Sequence, residues 1–127
     1  MIKSYLGLTA LLGMLTVLMG AFGAHSLEDK LEPEALKSFE TGIRYMMYHV
    51  LALLFINSSS LLQEKSKKRI SLLIFAGLTL FSGSIFLISL GLIPASKIWF
   101  VTPIGGILLI LSWLITAIAF FRSIPKA

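Results

Sequence analysis

Thr41-Gly42-Ile43-Arg44-Tyr45-Met46-Met47-Tyr48-His49 is the stretch at which a polar segment gives way to a long apolar one. It carries an arginine, two tyrosines and a histidine toward Val50 to Leu62. If this is the head of a membrane helix, the chain is a bundle in lipid. Composition supports that reading. The 127 residues are 57% hydrophobic and only 13% charged, and the mean hydropathy is +0.92, far outside the range of soluble domains.

About 20 apolar residues cross the roughly 30 Å hydrocarbon layer as a helix. Four stretches meet that length, near residues 5–23, 43–62, 70–93 and 98–121, with an outer segment over 26–42. The expectation is therefore an all-α integral membrane four-helix bundle forming one domain over residues 1–127, with the bilayer as its first partner. No cysteine is present, which excludes disulfides, thiolate nucleophiles and cysteine-held metal centres.

Charge orients the spans. With four crossings, one side carries Lys3, Lys65, Lys67, Lys68, Arg69, Arg122 and Lys126 against Glu64 alone. The other carries Lys30, Lys37, Arg44 and Lys97 against Glu28, Asp29, Glu32, Glu34 and Glu40. The excess of lysine and arginine marks the first side as cytoplasmic, so both termini are expected inside. Gln63 to Arg69 reads as a short basic loop whose role is topological.

The first apolar run also has the look of a secretory signal, with a lysine ahead of it and small residues at its end. It is longer than a usual signal core. Thr9, Gly13, Thr16, Gly20 and Gly23 recur along it every three or four residues, which aligns them on one helical face open to a neighbouring helix. A retained span is expected. Pro33 suits the first turn of a helix that carries Leu36, Phe39, Ile43 and Met46 on one side. That helix either runs unbroken into the second span or bends at Gly42.

The candidate site lies where that helix enters the bilayer. Spacing of four puts Glu40, Arg44 and Tyr48 in one row and Thr41, Tyr45 and His49 in the next. His25, just after the first span, falls on the same outer side. Ionisable groups at such depth are expected to turn inward, away from lipid. His25, Glu40, Arg44, Tyr45, Tyr48 and His49 thus form a candidate polar cluster, either structural or a binding or translocation site for an ion, a polar ligand or a lipid headgroup. Farther along, Phe81-Ser82-Gly83-Ser84 reads as a close helix crossing. Thr102 and Pro103 read as a helix cap and first turn, followed by Gly105 and Gly106.

Gly20-Ala21-Phe22-Gly23-Ala24-His25, Thr41-Gly42 through Tyr45 to Tyr48-His49, Phe81-Ser82-Gly83-Ser84 and Thr102-Pro103-Ile104-Gly105-Gly106 occur in an order that resembles one family. It is domain of unknown function 423, to which transmembrane protein 256 of animals is similar. The resemblance covers nearly the whole chain and implies a four-span protein, bacterial in most cases, hence of the cytoplasmic membrane. It implies no catalytic residue, because the family has no assigned activity. Two departures from its pattern are Phe86, where an aromatic hydroxyl is common, and Ser112, where glycine often precedes the tryptophan.

Enzymatic chemistry is not expected. Asp29 is the only aspartate and sits in a charged loop, and no phosphate-cradling loop or zinc-protease spacing occurs. No metal or cofactor is expected, although two histidines on neighbouring spans are the minimum for axial haem ligation. Nucleic acid is not an expected partner, since the cations are scattered along a membrane face without a stacking platform. The surplus of small residues makes a second copy or a larger membrane complex the remaining candidate partner.

Overall fold

A computed structural model describes residues 2–125, so Lys126 of the basic set lies outside the described residues. Helix α1 runs Ile2–Phe22 and passes directly into a single π turn over Gly23–Leu27. Helix α2 is Pro33–Ser58, α3 is Glu64–Ser89, α4 is the short Ala95–Ile98 and α5 is Val101–Ser123. Among the described residues three helical stretches are long and apolar enough to cross a membrane: Lys3–Leu27, Glu64–Ser89 and Val101–Ser123. Helix α2 matches them in length but carries Glu34, Lys37, Glu40, Arg44, His49 and Asn57.

Pro33 occupies the first turn of α2, where the missing N–H has no partner to lose. The helix then continues through Gly42 without interruption, so the outer segment and the second apolar run are one element. Gly42 is buried, and a Cβ there would lie 2.6 Å from the Phe86 ring. The helix ends at Ser58, four residues before the hydropathy pattern suggests, because Ser59 turns extended and its N–H closes the last turn on Phe55 and Ile56.

The expected basic loop is not a loop. Helix α3 begins at Glu64, and Lys65 to Arg69 form its opening turns. Glutamate, lysine and arginine are strong helix formers, and an acid in the first turn suits the positive end of the helix dipole. Lys67 reaches Glu64 one turn back at 3.8 Å. At the other end Gly91 adopts φ +71°, and Leu92 N–H bonds back to Leu87 O while Gly91 N–H bonds to Ile88 O. This pair of bonds stops the helix at the one position where a left-handed residue is needed.

The long helices run antiparallel to their sequence neighbours. Gly13 and Gly20 of α1 and Gly23 of the π turn face Val50, Ile43 and Phe39 of α2, while Thr9 and Thr16 on the same face are fully buried. Both threonines donate to their own helix, at Tyr5 O and Leu12 O. Helix α3 is central. It packs on α2 through Leu53, Ile56, Ile70, Ile74 and Leu78, and on α5 through a close backbone approach at Gly105, where a Cβ would stand 2.3 Å from Phe81 N. Gly77 sits against Leu109 one turn away. Without a hydrophobic drive between helices in lipid, this contact of bare backbone is what brings α3 and α5 together.

Gly83 departs from the expected crossing, with no neighbour within 4 Å of its would-be Cβ. Adjacent helix residues point about 100° apart, so three consecutive small residues face three directions. Ser82 turns to α2, Ser84 to α5, and Gly83 to a groove beside α1. Thr102 also departs from its expected role as a cap. Helix α5 starts two residues earlier, at Val101, leaving Thr102 in the first turn with its hydroxyl bonded to Ser84 Oγ. Pro103 remains in that first turn, where no intrahelical N–H is required.

Candidate functional site

His49 is the buried member of the candidate cluster, at 3% exposure. Its Nδ1 lies 2.6 Å from Tyr45 O, and Trp113 Nε1 lies 3.1 Å from its Nε2. A carbonyl only accepts and an indole N–H only donates. The ring therefore carries its proton on Nδ1, donates to Tyr45, accepts from Trp113, and has both nitrogens occupied. The bond joins α2 to α5, which also meet at Phe55 and Phe120, with ring centroids 6.1 Å apart. Tyr45 stacks on the imidazole at 6.5 Å between centroids and meets Phe81 of α3 at 5.2 Å. Three helices thus converge on one neutral ring.

The rest of the cluster does not assemble around it. Arg44 is exposed, and its guanidinium donates to Thr41 Oγ1 at 3.0 Å, while Thr41 in turn donates to Lys37 O. The inward turn expected of Arg44 is absent. It stands more than a turn closer to the polar end than His49, where a long side chain reaches water or headgroups. Glu40 is exposed beside it, and among the described residues the one ion pair is Lys67 with Glu64. Tyr48 is exposed and touches Tyr45 edge-on at 5.9 Å. His25 is exposed on the π turn, and among the described residues the bonds of His49 run to Tyr45 and Trp113 and not to it.

Two further polar joints hold the bundle. Asn57 Nδ2 donates to Leu53 O and to Ser71 Oγ, both at 2.9 Å, tying the end of α2 to the start of α3. Ser82 Oγ donates to Gly42 O at 2.9 Å across the same helix pair, an approach that the missing side chain of Gly42 permits. Every buried side-chain nitrogen or oxygen among the described residues has a hydrogen-bond partner, in its own helix or across to another. Trp113 and Asn57 lie outside the set of site residues expected from the sequence. A signal for both existed: an indole N–H or an amide inside an apolar run must find a partner, since lipid offers none. Among the described residues no three His, Asp or Glu side chains gather as metal ligands.

Apolar helices fastened by internal hydroxyl, amide and imidazole bonds define a helical membrane protein. The chain belongs to the family described as protein of unknown function (DUF423), whose model matches residues 19–106. It is 37% identical over 121 residues to a UPF0382 membrane protein of Haemophilus influenzae, covering 95% of this chain and 96% of that one. It is 38% identical to UPF0382 membrane protein YwdK of Bacillus subtilis, covering 92% and 95%. It is 40% identical to a UPF0382 membrane protein of Staphylococcus saprophyticus, covering 94% and 98%. No solved structure matches the chain significantly.

Proposed function

We propose that this is a four-span, non-enzymatic protein of the bacterial cytoplasmic membrane, with both termini inside, that acts through its lateral faces as a small subunit or assembly partner of another membrane protein. The observation carrying this reading is that interior polar groups are consumed by one another, while the larger apolar opening faces sideways. A groove of about 490 Å³ lies between α1 and α3, walled by Leu11, Leu15, Phe75 and Phe86 and floored by Met46 and the bare backbone of Gly83. Such a surface suits a helix of a partner or a second copy. The fourth crossing is assigned to α2, whose polar groups are paired or lie near its outer end.

Purification in a mild detergent tests the reading. Wild type is expected to elute with a stoichiometric membrane companion of another sequence, and Gly83→Leu is expected to release it by filling the groove. A wild-type chain recovered alone as a monomer overturns the proposal.

A second reading draws on a shallow recess of about 250 Å³ where Glu40 and Arg44 border Gly20, Gly23 and Phe39. There Arg44 would fix an anionic ligand from the outer side. Titration of small carboxylate and phosphate anions against wild type and Arg44→Ala distinguishes it, and indistinguishable responses remove it.

A further inference from the structure

The antiparallel pairing of α3 and α5 sets the opening turns of one beside the closing turn of the other. Between them lies a cavity of about 370 Å³ whose polar border is Arg69, Arg122, Gln63, Ser66 and Ser123. No acidic side chain lines it. Among the described residues neither arginine has a carboxylate partner, since the one ion pair joins Lys67 to Glu64. Two arginines therefore line one concave space whose other polar lining residues, Gln63, Ser66 and Ser123, are neutral.

The other wall is apolar, formed by Leu62, Ile115, Ile118 and Ala119. An adjoining groove of about 390 Å³ shares Leu61 and Ser123 with the cavity and continues past Ala117, Phe120 and Phe121. The space is thus cationic at the helix ends and greasy along the helix flanks. Arginine's planar fork matches the paired oxygens of a phosphate, and basic pockets between membrane helices are suited to anionic headgroups. A soluble anion would satisfy the arginines and leave the apolar groove unfilled. A zwitterionic lipid would bring its own cation against both.

We propose that this cavity binds an anionic glycerophospholipid, the phosphate held by Arg69 and Arg122 and one acyl chain laid along the Leu61–Phe120–Phe121 groove. The proposal rests on α3 and α5 crossing the bilayer and is independent of any protein partner. Loss of membrane insertion and loss of lipid binding are separately measurable.

The test is native mass spectrometry of the full chain in mild detergent, titrated with phosphatidylglycerol, phosphatidylcholine or glycerol phosphate. Phosphatidylglycerol is expected to be retained about tenfold more strongly than phosphatidylcholine, the discrimination a pair of charge-assisted bonds supplies. R69Q/R122Q is expected to lose that preference. K65Q/K68Q removes the same charge from exposed residues at the same end, outside the cavity lining, and is expected to keep it. R69K/R122K keeps charge and fold while losing the fork, and is expected to fall between. Equal loss in the two glutamine double variants reduces the effect to diffuse attraction and overturns the site. Competition by glycerol phosphate assigns the cavity to a soluble anion and overturns the lipid.

Discussion

Trp113 Nε1 donates to His49 Nε2 at 3.1 Å, a bond between residues 64 apart in sequence that locks the imidazole as a neutral acceptor. Trp113→Phe keeps most of a ring that is half exposed and removes only the donor. The expected cost is about 0.5–1.5 kcal/mol, the range for interhelical hydrogen bonds in membranes. A double-mutant cycle with His49→Ala, followed by unfolding in mixed micelles, is expected to show coupling of that size. Strict additivity would leave the bond without energetic weight.

Gly105 and Gly83 sit in similar small-residue motifs yet are expected to respond oppositely. A methyl at Gly105 meets the α3 backbone at Phe81, which cannot retreat without parting the helices, so Gly105→Ala is expected to cost about 3 kcal/mol. Gly83→Ala meets nothing and is expected to be neutral or stabilising, because alanine is preferred over glycine in a helix interior by about 1 kcal/mol. Thermal denaturation of the purified variants ranks the two. A Gly83 variant as damaging as the Gly105 one would contradict the packing described.

Asn57→Leu removes both halves of the joint to Leu53 O and Ser71 and leaves a larger apolar group at a site only 3% exposed. A destabilisation of about 1–3 kcal/mol is expected. Ser71→Ala alone is expected to cost less, since Asn57 retains its bond to Leu53 O. Equal losses for the two variants would argue that Asn57 contributes only through Ser71.

Absence of cysteine makes the chain its own labelling background. Single cysteines at the exposed positions Glu32 and Lys97 are expected to react with an impermeant maleimide in intact cells. Cysteines at Lys68 and Arg122 are expected to react only after permeabilisation. Labelling of Lys68→Cys from outside would reverse the orientation, and matching behaviour of Glu32→Cys and Lys68→Cys would deny α2 its crossing.

Some of this was readable before any coordinates. The three or four residue spacing of Thr9, Gly13, Thr16, Gly20 and Gly23 placed them on one face, and that face meets α2. Periodicity within a helix is a local property. The run from Gln63 to Arg69 reads as a loop in the sequence because hydropathy reports depth and not conformation, and a polar segment rich in helix formers looks the same on that scale. The candidate cluster was legible only as a set of spacings. Those spacings aligned Arg44 with Tyr48 and Tyr45 with His49, but alignment on a helix does not say which row faces a neighbour.

What the sequence by itself determined is the class of solvent and the repertoire of elements: apolar length and sparse charge demand helices in a membrane, since only a helix satisfies its own backbone there. The tertiary structure alone decided the partners. Rotation of each helix about its axis, set by where backbones approach at Gly105 and Gly42, chose Trp113 for His49 and Ser71 for Asn57. Those choices depend on distances between residues remote in the chain, and no local pattern encodes them.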